Sequence, residues 1–285
     1  MSRGAVYAWI GLVVCLYGSG LWGAVPETND LILSRNTIVV SVDGLSRRTL
    51  HALLKKHKLP SIAQIVSRGN VRNLTVSANV VGLGSGLDVL ISAQRSPRDF
   101  VTILRQLKTP VSTGIVLSPI THHDWSKSSL LVRDQLAEVV TTASAYVART
   151  PQEVTSELRH MITGLSSPFV LWANYTSVAE KGFVYREGGE EYSMAAQRVD
   201  RAIGRVLTHL ETLGLKDQTD WVITASYVIQ ENNSGLEPAG RSWIVSSQLI
   251  RYSGFLRDIA PTILRFYGRS VAGIKSQFAG RPLVY

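Results

Sequence analysis

Asp43 closes an unusually apolar stretch: residues 36–47 read Asn-Thr-Ile-Val-Val-Ser-Val-Asp-Gly-Leu-Ser-Arg. From Thr37 to Val42 nearly every position is apolar or β-branched, which suits a strand buried on both faces. A carboxylate at the carboxyl end of such a strand stands in the crevice where open α/β sheets hold their ligands, and Gly44 lets the backbone turn beneath it. There it could ligate a cation or carry a proton. An ordinary turn, or a cap on the following helix, accounts for the same two residues.

Two further groupings carry reactive side chains. Gly82, Gly84 and Gly86 bracket Leu83 and Ser85, a spacing that lets backbone approach a ligand closely and lets successive N–H groups face an anion. No Gly-Lys-Ser/Thr follows, so this is not a Walker loop, and a surface loop explains the glycines equally well. Thr121-His122-His123-Asp124 contains metal-ligating residue types. Adjacent side chains diverge, however, so one or two at most would face a single ion, and surface polarity is the simpler reading.

The elements that must hold these groups follow from periodicity. Leu50, Leu53 and Leu54 recur at helical spacing until Pro60, which opens a second short helix ending near Gly69. Val71–Val76 and Val111–Leu117 suit strands, separated by a helix from Ser96 to about Leu107 with Pro97 at its first position. A helix is expected from about Ser129 to Val147. Thr150-Pro151-Gln152-Glu153 is a capping box opening the next helix, which runs to Gly164. Pro168–Ala173 and Trp221–Thr224 are further buried strands, with a long amphipathic helix, Tyr192–Leu213, between them; the last helix is Leu256–Tyr267. Strands alternate with helices without repeats, which predicts one α/β domain: a doubly wound, mostly parallel sheet with helices on both faces.

The chain has 285 residues and a formal net charge of +9. Lys and Arg are scattered, densest at Lys55-Lys56-His57-Lys58. No aromatic-and-basic interleaving or helix-turn-helix pattern accompanies them, so nucleic acid is not the expected partner. The surplus favours anionic surfaces or ligands, or simply solubility. Arg3, an apolar stretch from Ala5 to Leu16 and small residues after it read as a secretory signal or an N-terminal anchor over residues 1–24. A linker, 25–36, and a single domain, 37–285, follow. The one cysteine, Cys15, falls inside that leader, so the remainder has neither disulfides nor thiolate ligands. Asn73-Leu-Thr75, Asn174-Tyr-Thr176 and Asn232-Asn-Ser234 are glycosylation sequons.

Taken in order, these segments resemble the alkaline phosphatase superfamily, particularly its phosphodiesterase and sulfatase branches. Ile38–Gly44 looks like the family's first strand and metal-binding Asp, and Leu59-Pro60-Ser61-Ile62 through Gly69 like its thr-pro-asn-leu…gly helix. Ile91–Pro97 resembles the leu-thr-gly…pro segment, and Glu191–Leu215 with Trp221–Thr224 the long helix and second metal strand. Asp258-Ile259-Ala260-Pro261-Thr262-Ile263-Leu264 resembles the asp-ile-ala-pro-thr helix, with Gly280-Arg281-Pro282-Leu283 the ending after it. The resemblance implies an alkaline-phosphatase-like α/β fold. It also implies chemistry that needs two divalent ions, zinc or manganese, held by about six Asp and His side chains around a Thr, Ser or formylglycine nucleophile.

The ligand positions depart from that pattern. Ala225-Ser226-Tyr227-Val228 follow Thr224, so Ser226 and Tyr227 stand where the family has asp-his. Ser177-Val178-Ala179-Glu180-Lys181 replaces asp-x-x-gly-his, placing Ser177 and Lys181 at ligand positions. No histidine lies beyond His209 to serve as the C-terminal ligand. Asp43 is the family metal position clearly retained, and Lys181 is expected to pair with it and plug the emptied site. The expectation is an exported domain, periplasmic or secreted, that has lost two-metal catalysis, needs no cofactor and serves in binding or assembly. Its partner would be an envelope or cell-surface protein, or an anionic glycan or lipid, with membrane proximity if the N-terminal segment stays uncleaved. The alternative is an active phosphate or sulfate ester hydrolase with a rearranged site: Ser85 as nucleophile, two divalent ions, and Asp43, Asp88, His122, His123 and Asp124 as ligands or acid–base groups.

Overall fold

Every residue of the first strand, β1 (Asn36–Val42), is buried in the computed structural model of the chain, which describes residues 35–75, 97–107, 110–118, 146–147, 150–225, 228–229, 236–237, 241–270 and 280–284. Successive side chains of a strand point to opposite faces. Ile38, Val40 and Val42 enter one core, and Val39 enters another. A strand apolar on both alternations belongs inside a sheet covered twice, as its sequence predicts.

Two parallel strands flank it. β5 (Phe169–Tyr175) sets Tyr175 opposite Val42, and β6 (Thr219–Thr224) sets Thr224 opposite Ser41. Beyond β5 lie β3 (Ser112–Leu117) and the two-residue β4 (Tyr146–Val147), both parallel. Beyond β6 lie β9 (Arg241–Ser246), β2 (Asn70–Thr75) and β10 (Gly254–Phe255). The eight strands run in the order β10-β2-β9-β6-β1-β5-β3-β4. Only β9 opposes its neighbours; the other pairings in this sheet are parallel. β7 (Val228–Ile229) and β8 (Leu236–Glu237) form a separate antiparallel pair. The C-terminal end of the helix expected over 129–147 is a correction, because Tyr146 and Val147 are extended and pair with Val116 and Leu117. The rest of that segment lies outside the described residues.

Helices cover both faces. One core takes side chains from α1 (Arg47–Lys55), α2 (Pro60–Arg68), α4 (Pro151–Gly164), α5 (Ser177–Tyr185) and the long α6 (Glu190–Thr212); the other takes them from α3 (Pro97–Arg105) and α7 (Ile259–Phe266). Side-chain caps start α1 and α4. The Ser46 hydroxyl accepts from Thr49 N–H at the head of α1, and Thr150 does the same for Glu153 N–H at the head of α4. α2 has Pro60 at its first turn and no cap of its own. Its Ser61 and Ile62 amides instead donate to the Asp200 carboxylate on α6, at 3.2 and 2.8 Å. Gly204, one turn further along α6, admits Ser61: a Cβ there would come within 2.6 Å of the serine hydroxyl.

The C-terminal residues are fastened by hydrogen bonds. Asp258 accepts from Phe255 N–H (2.8 Å) and Arg281 N–H (2.9 Å), and Thr262 accepts from Leu283 N–H (2.9 Å). At the amino edge of the sheet Arg35 grips Asp220 through two 2.8 Å bonds. None of the described helices is long and apolar enough to cross a membrane.

Candidate functional site

The carboxyl ends of β1, β5, β3 and β6 meet at one edge, and the first three bring polar residues there. Asp43 leaves β1 with its N–H donating to the Tyr175 carbonyl of β5 at 2.9 Å, and its side chain is only 2% exposed. One carboxylate oxygen accepts from the Ser41 hydroxyl in a short hydrogen bond, and the other accepts from the Asn174 amide at 3.3 Å. Asn174 also joins the next strand end. Its carbonyl accepts from Ser118 N–H at 2.6 Å, and its NH₂ donates to the Ser118 carbonyl at 3.0 Å. The Ser118 and Thr176 hydroxyls lie 3.0 Å apart. Ser177 opens α5, and its buried hydroxyl has no hydrogen-bond partner.

The turn after Asp43 is held rigidly. Gly44 has φ +86°, and a Cβ on it would lie 2.4 Å from the Ala179 Cα of α5, so only glycine fits between the strand end and that helix. Tyr192 of α6 donates to the Gly44 carbonyl at 2.6 Å and accepts from Ser46 N–H at 2.9 Å. Trp243 of β9 donates its indole N–H to the Leu45 carbonyl at 2.8 Å. Glu187, in the α5–α6 connection, accepts from the Ser46 hydroxyl in a short bond. Burial pushes the Tyr192 phenol up to about 12, and Tyr175, buried beneath the site, also to about 12.

Asp43 stands just past the carboxyl end of β1, and the β6 end lies beside it. Ser177 comes to the same edge at the mouth of α5. Lys181 does not plug the site, which corrects the expected ion pair. Its ammonium lies 5.4 Å from the centroid of the Tyr185 ring, one turn further along α5. Lys181 and Tyr185, four residues apart, share a face of α5, and the ammonium rests over that ring. Ser85, Asp88, His122, His123, Asp124, Ser226 and Tyr227 lie outside the described residues. Asn174, Ser41, Ser118 and Thr176 were missed by the sequence reading. Their signal was a polar residue interrupting or ending an apolar run. Asn174, read as a sequon, is 3% exposed and bonded on both sides of its amide.

These residues do not fit a two-cation centre. Such a centre takes several carboxylates and imidazoles. Among the described residues no three His, Cys, Asp or Glu side chains converge to hold an ion. Asp43 is accompanied at the edge by an amide and hydroxyls, and both of its oxygens already accept hydrogen bonds. Ser41 has a carboxylate partner but is wholly buried, beyond the reach of a substrate. The Ser118 hydroxyl faces another hydroxyl rather than a base.

No family model matches the chain, and no curated protein matches it by sequence. Its fold, however, is similar to several solved structures. The lipoteichoic acid synthase LtaP from Listeria monocytogenes superposes with a TM-score of 0.56 at 12% identity, over 95% of this chain and 79% of that one. The alkaline phosphatase from the Antarctic bacterium TAB5 gives 0.55 at 12% identity, over 84% of this chain and 99% of that one. BT4656, solved in complex with its substrate D-glucosamine-2-N,6-O-disulfate, gives 0.56 at 12% identity, over 88% and 79%. The chain therefore has the alkaline-phosphatase-like α/β fold that its ordered motifs resemble.

Proposed function

We propose that this chain is an exported, non-catalytic domain on the alkaline-phosphatase-like scaffold, used for binding or assembly outside the cytoplasm. The observation that carries the reading is the state of Asp43. Its carboxylate is buried and accepts from Ser41 and Asn174, so both of its oxygens already serve hydrogen bonds within the protein. A carboxylate so engaged ties β1 to β5 and serves architecture. The domain needs no divalent ion to do this. Its partner is an envelope or cell-surface protein, or an anionic glycan or lipid.

The rival is a hydrolase of phosphate or sulfate esters with Ser85 as nucleophile and two zinc or manganese ions. It is favoured by the placement of Asp43 at a strand end and by the hydrolases named among the fold's relatives. One experiment separates the two. The purified chain is assayed for bound metal and for cleavage of nitrophenyl phosphomonoesters, phosphodiesters and sulfates, beside an Asp43→Ala variant. The expected result is no stoichiometric zinc or manganese and no turnover above the variant. Stoichiometric metal with Asp43-dependent cleavage would overturn the non-catalytic reading.

A further inference from the structure

No acidic residue occurs between Asp43 and Asp88, although Arg47, Arg48, Lys55, Lys56, Lys58, Arg68 and Arg72 all do. The fold joins part of this run to a second basic row. Lys55 ends α1, and Lys56 and Lys58 form the turn into α2; all three are exposed. On α6, Arg198, Arg201 and Arg205 are exposed too. Their spacing of three and four residues puts them on one stripe, about 10 Å long at 1.5 Å per residue. The head of α2 seats on α6 at Asp200 and Gly204, with Ser61 touching both. Lys58 precedes Ser61 by three residues, so the lysine turn lies within about 10 Å of that junction. The two rows therefore share the helix layer over one face of the sheet. None of the six cations takes part in an ion pair among the described residues. The carboxylate closest in the chain, Asp200, is buried and capping α2.

A cation at a helix C-terminus is stabilising by itself, which explains Lys55, but it does not explain Arg198, Arg201 and Arg205 in mid-helix. Among the described residues the exposed large apolar side chains are Val184, Tyr185, Leu213, Leu249, Tyr252 and Phe255. None of these lies on α1, in the lysine turn or on α6 itself; Leu213 follows the C-terminal end of α6. Among the described residues, α1, the lysine turn and α6 thus present charge without exposed large apolar side chains of the kind that insert into a bilayer or stack on bases. Its two rows flank a helix junction, a relief that a flexible linear polymer can follow. We infer that the α1–α2 turn and the outer face of α6 form a docking surface for an anionic polysaccharide, distinct from the strand-end site. This inference rests on the binding reading above for its role, and it names the class of partner.

Binding of dextran sulfate to the purified chain, measured by titration across salt concentrations, tests it. The wild type binds, and Lys55→Gln/Lys56→Gln/Lys58→Gln and Arg198→Gln/Arg201→Gln/Arg205→Gln each weaken binding about tenfold or more. The slope of log affinity against log salt shrinks by about one per cation removed. Arg251→Gln/Arg257→Gln/Arg281→Gln changes the net charge equally, at the opposite helix layer, and keeps wild-type affinity. Thermal melts establish that each variant folds. The inference is overturned if the wild type does not bind, if the opposite-layer variant loses as much as the others, or if the chain prefers phosphatidylserine vesicles or duplex DNA. Ester turnover or bound zinc would sink the non-catalytic reading and leave this measurement standing.

Discussion

Tyr192 ties the turn beyond Asp43 from two sides, and its removal is the sharpest test of how that turn is held. Tyr192→Phe would strand the Gly44 carbonyl and the Ser46 amide, a loss of about 1–3 kcal/mol in stability at neutral pH. The phenol adds a pH dependence. Burial raises it to about 12, against about 10 in the unfolded chain, so its contribution is complete below pH ~10 and is lost as pH rises through the folded value. The gap between wild type and Tyr192→Phe in denaturant melts should therefore narrow between about pH 10 and 12; a gap that widens would contradict the assignment. At this scale the sequence was partly legible. Asp43 declared itself by ending an apolar run. Asn174 did not, because its two-strand bridge depends on the register between β3 and β5, and no local pattern encodes a register. Lys181 misled because a position carried over from a family specifies a place in the chain and not a direction in space.

Elements are held together by borrowed caps. α2 lacks an N-terminal cap of its own and takes one from Asp200, a residue of another helix. Asp200→Ala should cost about 1–2 kcal/mol, the ordinary value of a lost cap. Burial raises the Asp200 carboxyl, against the pull of the Ile62 and Ser61 amides. A raised carboxyl is held more tightly in the folded state, so its contribution is greatest at low pH and declines as pH rises through the folded value. Relative to Asp200→Asn, which does not titrate, the wild type should lose thermal stability as pH rises from below the ordinary carboxylate value through the raised folded one. Most elements could be read from the sequence, since β1, β5, β6, α4 and α6 carry long runs or stripes of one period. Two that could not were α5, whose nine residues alternate too little, and β9, whose Ser242, Ser246 and exposed Arg241 dilute its apolar residues. The antiparallel course of β9 is a tertiary outcome: it fills the gap between β6 and β2.

Across the whole molecule, two cores share a single sheet. Trp172 lies in one, and Trp221 and Trp243 lie in the other. Because β1, β5 and β6 contribute to both, neither core can dissolve without exposing the strands that support its counterpart. Guanidinium unfolding should accordingly be one transition. Fluorescence of a Trp172→Phe variant and of a Trp221→Phe/Trp243→Phe variant should each coincide with far-UV circular dichroism of the same protein; separated midpoints would mean that the layers melt independently. The topology has one more outcome. The chain departs from the carboxyl edge after Thr75, after Ser118 and after Ala225, and after the last of these it comes back to that edge at Arg241 because β9 runs backwards. These three strand ends and that one strand start thus share one rim, like studs on a fixed mounting plate standing over the apolar interior that makes the chain fold.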